Sequence, residues 1–110
     1  MYARVVRFEG GDPSRIDEEI ATTKRQLEAA RSGDVPADAA ESVRTLMETV
    51  RRFVELVDRK SGSVVGIVFC ETEEDMRRAD AALGSMSPPQ DLGKRTSVDI
   101  YEVAVDESFG

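Results

Sequence analysis

Two arginines near the start of the chain, a lone thiol, a methionine and a phenol are the side chains best equipped to meet a small molecule: Arg4, Arg7, Cys70, Met76 and Tyr101. A guanidinium holds a carboxylate or polarises a carbonyl, a phenol donates a hydrogen bond, and a thioether fits irregular apolar shapes. Each of the five also has a structural reading. Arg4 and Arg7 fall on opposite faces of one strand, so one of them points into a covered layer and needs a carboxylate. Glu55, Asp99 and Glu102 are the expected partners, which makes a structural or interface ion pair compete with an anion site. Cys70 stands in an apolar run with no base or cation fixed beside it, the setting of an inert buried thiol. Tyr101 doubles as a strand aromatic, and Met47, Met76 and Met86 as a core stripe. Glu71, Glu73, Glu74 and Asp75 cluster where a helix should begin, so they read as capping and solvating charges rather than metal ligands. Gly10-Gly11 lies in no phosphate-binding pattern and reads as a turn.

Composition narrows the chemistry further. The 110 residues carry 15 Lys+Arg against 22 Asp+Glu, a formal charge of −7, and contain no His, no Trp and no Asn. Without His there is no imidazole acid–base catalysis and no Ser-His triad, and most zinc sites lose a ligand type. The acidic balance argues against nucleic acid and anionic membranes, which draw on clustered Lys and Arg. One cysteine excludes an intrachain disulfide and fits a reducing compartment, so a soluble, cytoplasmic protein is expected. No apolar run approaches the ~20 residues of a membrane span, and no leader pattern precedes the first strand.

The length suits a single domain over residues 1–110. Residues 2–9, rich in β-branched and aromatic types and ended by Gly10-Gly11, predict strand 1. Asp12-Pro13 starts a helix whose apolar face is Ile16, Ile20, Thr23, Leu27 and Ala30, closed by Gly33. A second helix runs from Pro36 to about residue 50, on Val43, Leu46, Met47 and Val50. Strands 2 and 3 are expected at 52–59 and 63–71 around a turn at Lys60-Ser61-Gly62. Thr72 with Asp75 caps a third helix carrying Met76, Ala79, Leu83 and Met86, which Pro88-Pro89 ends. Strand 4 is placed at 96–105, and the last five residues are expected to fray. The order β-α-(α)-β-β-α-β predicts an α+β, ferredoxin-like fold: an antiparallel four-stranded sheet in the order 4-1-3-2 with helices on one face.

Such a sheet should alternate apolar inward and polar outward. Here both faces are apolar. Val65, Ile67 and Phe69 share one side of strand 3, and Val64, Gly66, Val68 and Cys70 the other. On strand 4, Tyr101, Val103 and Val105 oppose Val98, Ile100 and Ala104, and on strand 1 Val6 and Phe8 oppose Ala3 and Val5. Helices cover only one face, so a second copy packed sheet against sheet is the expected cover; a wrapped loop, or the helix at 36–50, is the alternative.

The opening Tyr2-Ala3-Arg4-Val5-Val6-Arg7-Phe8-Glu9-Gly10, the hairpin Leu56-Val57-Asp58-Arg59-Lys60-Ser61-Gly62, the run Gly66 to Glu74 and the ending Tyr101 to Val105 resemble the antibiotic-biosynthesis-monooxygenase-like family of dimeric α/β barrels. The resemblance spans nearly the whole chain but rests on strand starts, a hairpin and a helix cap. It implies a homodimer and, in each copy, a pocket between sheet and helices. Its reactive residues do not carry over: relatives often have Trp where Cys70 stands, and the haem-degrading branch uses Asn, Trp and His where Arg7, Ala79 and the Pro88-Pro89 region roughly fall. No cofactor is therefore expected. Two functions remain. One is a binding or accessory protein without turnover for an apolar or aromatic metabolite. The other is a cofactor-independent monooxygenase, or a related isomerase or cyclase, using Tyr101 and an Arg on a polyphenol.

Overall fold

The computed structural model describes residues 1–86 and 92–110, so the predicted stop at Pro88-Pro89 lies outside the described residues. The chain runs β1 (Tyr2–Gly10), α1 (Ile16–Ser32), α2 (Ala40–Thr49), β2 (Val50–Val57), β3 (Val64–Cys70), α3 (Glu73–Gly84) and β4 (Gly93–Glu102). Short 3₁₀ turns at Pro13–Arg15 and Ala37–Ala39 lead into α1 and α2. Among the described residues the architecture is α+β, a four-stranded antiparallel sheet with three helices. The sheet order is β2-β3-β1-β4, which counted from the β4 edge runs β4-β1-β3-β2.

Local chemistry sets the boundaries. Asp12 accepts from the Ser14 amide at the first turn, and Gly33 closes α1 in the left-handed region at φ 78°, where a side chain would be strained. Thr72 accepts from the Asp75 amide at 3.0 Å to cap α3. Two strands sit a few residues earlier than the sequence pattern suggests. β2 starts at Val50 rather than 52 because α2 ends at Thr49, whose hydroxyl donates back to the Thr45 carbonyl, and Val50 is already extended. Asp58 then leaves the strand to make the turn, accepting from the Lys60 and Ser61 amides, and those bonds hold its carboxyl below the usual range. β4 starts at Gly93 and ends at Glu102, because its ladder on β1 runs from Gly10 to Tyr2. Beyond that, Val103 donates only to the Met1 carbonyl.

Directly paired residues of an antiparallel ladder point to the same side. The registers therefore place Arg4, Val6, Phe8, Phe53, Glu55, Val64, Gly66, Val68 and Cys70 on the face the helices cover. Ala3, Val5, Arg7, Val54, Leu56, Val65, Ile67, Phe69, Asp99 and Tyr101 lie on the other. The core on the helix side is in two parts. One joins Val6, Phe8, Val64 and Leu92; the other joins Val68, Cys70, Met76 and Ala79. The outer face has no such cover in a single chain, and Leu56 and Tyr101 there are 51% and 55% exposed.

Candidate functional site

Between the helices and the sheet lies a cavity of about 530 Å³ that borders both core clusters. That volume is within the range of small-molecule sites, roughly 300–1,000 Å³. Its floor is the sheet face carrying Val6, Phe8, Val64, Gly66 and Val68. Leu27 and Ala30 of α1, Val43, Leu46 and Met47 of α2, and Leu83 and Met86 close its other walls. Gly66 opens the middle of the floor: a Cβ there would meet only Phe53 Cε2, at 3.9 Å. A glycine inside a strand often marks a place where something must approach the backbone.

Few polar groups face this apolar space. Arg4 is 5% exposed, and its Nε donates to Asp80 Oδ1 of α3 at 2.8 Å. The partner is thus a helix residue, and none of Glu55, Asp99 or Glu102 takes that role: Glu55 is engaged with α1, while Asp99 points to the opposite face. On the α1 side Glu19 is 7% exposed, and its Oε1 accepts from Thr23 Oγ1 at 2.7 Å. The same hydroxyl lies 3.5 Å from Glu55 Oε2. Its single proton serves the shorter contact, so Glu55 gains little from it. Burial, the Glu19 charge and a hydrogen bond with Glu19 together push the Glu55 carboxyl up to about 7. Glu19 Oε2 is buried with no protein hydrogen-bond partner.

The five residues singled out from the sequence do not form one site. Arg4 lines the cavity. Arg7 and Tyr101 are on the opposite face of the sheet, which leaves the oxygenase reading with Arg4 alone in a single chain. Cys70 and Met76 are sealed in the second core cluster, at 0% and 1% exposure. Burial and the nearby Asp75 push the Cys70 thiol up against the opposing pull of Arg51, so it is a poor nucleophile. The methionine stripe also divides: Met76 is core, while Met47 and Met86 line the cavity. The acidic run at Glu71–Asp75 flanks the α3 cap, and no group of three or more metal-binding side chains occurs among the described residues.

Sequence reasoning missed Glu19, Gly66 and the role of Glu55. The signals were there: Glu19 and Thr23 are one turn apart on α1, Glu55 interrupts Val54-Glu55-Leu56 at an inward position, and Gly66 sits mid-strand. No protein-family model matches the chain, and no curated protein matches it in sequence.

Proposed function

We propose that the protein is a non-catalytic, accessory small-molecule-binding protein of the dimeric α/β-barrel kind, holding an apolar or aromatic ligand between sheet and helices in each copy. The observation that carries this reading is the 530 Å³ cavity with its open floor at Gly66. The order of the elements and the sheet order agree with a ferredoxin-like chain of the antibiotic-biosynthesis-monooxygenase-like type. Binding without turnover suits a wall that offers a neutralised guanidinium and a carboxyl pair but neither Tyr101 nor Cys70.

A neutral apolar dye such as Nile red tests the cavity. Gly66→Leu should weaken dye binding at least about tenfold, by filling the floor, while unfolding stays within roughly 1 kcal/mol of the parent. Equal dye affinity in the two proteins would remove the cavity as the binding place.

The second copy belongs on the outer face, where Val5, Val54, Val65, Ile67 and Phe69 form a continuous apolar surface. Arg7, Arg52 and Asp99 lie on that same face, so a two-fold axis can set opposite charges against each other. Arg52 already lies over the Phe69 ring, 5.8 Å from its centroid. Ile67→Glu places a charge at the centre of that surface, and its burial there is costly. Sedimentation should therefore show a dimer for the parent and a monomer for the variant. A parent that sediments as a monomer at all concentrations overturns the dimer.

A further inference from the structure

We propose that the Glu19–Glu55 pair with Thr23 is the polar recognition point of the cavity, and that it takes an organic cation: an apolar body carrying a protonated amine. This rests on the cavity-binding reading above and names the ligand class for the same site.

Three observations carry it. First, two carboxyls from different elements, α1 and β2, meet on the wall of a mainly apolar space. Charged groups are rarely placed in such surroundings without a partner, because leaving water costs them hydration. Second, Glu19 Oε2 is buried, and apart from Glu55 while that carboxyl holds a proton it has no donor among the described residues. Thr23 supplies one proton, already committed to Glu19 Oε1. Third, no Lys or Arg among the described residues forms an ion pair with Glu19 or Glu55. The other charged groups on the cavity wall among the described residues are Arg4, Asp34 and Arg95. Arg4 is held by Asp80. Arg95 is on β4, at the opposite edge of the sheet from β2, so its backbone is three strand spacings away, about 14 Å. Asp34, in the turn after α1, adds negative charge rather than offsetting it. Across from Glu55 on β3 stands Gly66, which has no side chain to fill the space beside it.

An ammonium group has three donors in a small volume and a full positive charge. It can give one hydrogen bond to Glu19 Oε2 and another to Glu55, while Thr23 keeps its bond to Glu19 Oε1. A neutral alcohol offers one donor and no charge. A carboxylate ligand would add a third negative group and be rejected. In the free protein a proton held between the two carboxyls eases their repulsion. The arriving ammonium replaces it, and that proton leaves to the buffer.

The experiment uses three isosteric naphthalenes, an ammonium (2-(1-naphthyl)ethylamine, protonated at about pH 7), the matching alcohol and 1-naphthylacetate. Their fluorescence reports binding directly, since the chain has no Trp. The ammonium should bind at least about tenfold tighter than the alcohol, with the acetate weakest. Glu19→Gln and Glu55→Gln should each bring the ammonium-to-alcohol ratio to within about threefold. Titration calorimetry in two buffers of different ionisation enthalpy should show proton release with the ammonium and none with the alcohol. Equal affinities for ammonium and alcohol, or a preference that survives both Gln variants, would overturn the cation inference and leave the cavity reading standing. No binding by any of the three overturns both.

Discussion

Asp80→Ala should destabilise the protein by about 2 kcal/mol, lowering the melting temperature by roughly 10 °C, whereas Arg4→Met should change it by less than about 1 kcal/mol. The two substitutions break the same 2.8 Å contact, so the asymmetry is the content of the prediction. Arg4 is the buried partner, with its side chain 6% exposed against 43% for Asp80. Removing Asp80 strands a guanidinium that can neither deprotonate nor swing out to water. Removing Arg4 leaves a carboxylate already half in solvent, and a methionine fills the vacated layer with apolar atoms of similar length. A fully enclosed pair would lose about 3–5 kcal/mol on losing one partner, and the exposure of Asp80 is the reason for the lower figure. Chemical denaturation of both variants and of the double variant checks this. In the Arg4→Met background Asp80→Ala should be nearly neutral, which gives a coupling energy of about 2 kcal/mol. If Asp80→Ala costs the same in both backgrounds, the pair is not what holds α3 to β1.

That ion pair also shows which features the sequence carries and which it does not. A buried arginine on strand 1 is legible, because Arg4 and Arg7 cannot both face water on a strand whose successive residues alternate in direction. Its partner is not legible, because pairing across layers depends on where α3 crosses the sheet. Propensity and capping do not fix that crossing. The neighbouring-strand acids therefore look like the better candidates until the helix is seen to bring Asp80 within reach. The elements themselves are written locally. Gly33, Thr72 and the Asp58 turn each stop or start a segment by chemistry that acts within a few residues. Strand ends are less local: β4 stops at Glu102 because β1 begins at Tyr2, although the apolar pattern continues to Val105. The site suffers most from this. Cys70, Met76 and Tyr101 attract notice by residue type, yet packing puts two in the core and one on the far face. Glu19, Thr23 and Gly66 are ordinary residues whose meaning comes from facing the same empty volume.

The pH dependence of stability gives the second large effect, and its sign follows from Glu55. In the unfolded chain this carboxyl has an ordinary value near 4.5, and in the folded protein it is raised to about 7. Folding therefore favours the protonated form. Below about pH 4.5 both states hold the proton and the group contributes no penalty. Between there and about pH 7 the unfolded chain ionises freely while the folded one resists, so stability falls as pH rises, and it levels off above the folded value. Full burial would make the total loss about 3 kcal/mol; Glu55 keeps contact with solvent, and screening reduces this to about 1–2 kcal/mol. Glu55→Gln keeps the shape and removes the titration. Its stability should match the parent near about pH 4.5 and exceed it by about 1–2 kcal/mol near pH 8. Taking the difference between the two proteins cancels the contribution of the other acidic groups, which matters for a chain of net charge −7. Glu19→Gln acts on the same quantity from the other side: with its charge gone, the Glu55 carboxyl carbon should titrate closer to 4.5 by NMR. Parallel stability–pH curves for the parent and Glu55→Gln would mean that the two carboxyls do not share a buried environment. The cation site would then lose its physical basis, whereas the cavity, which rests on Gly66 and the apolar walls, would not.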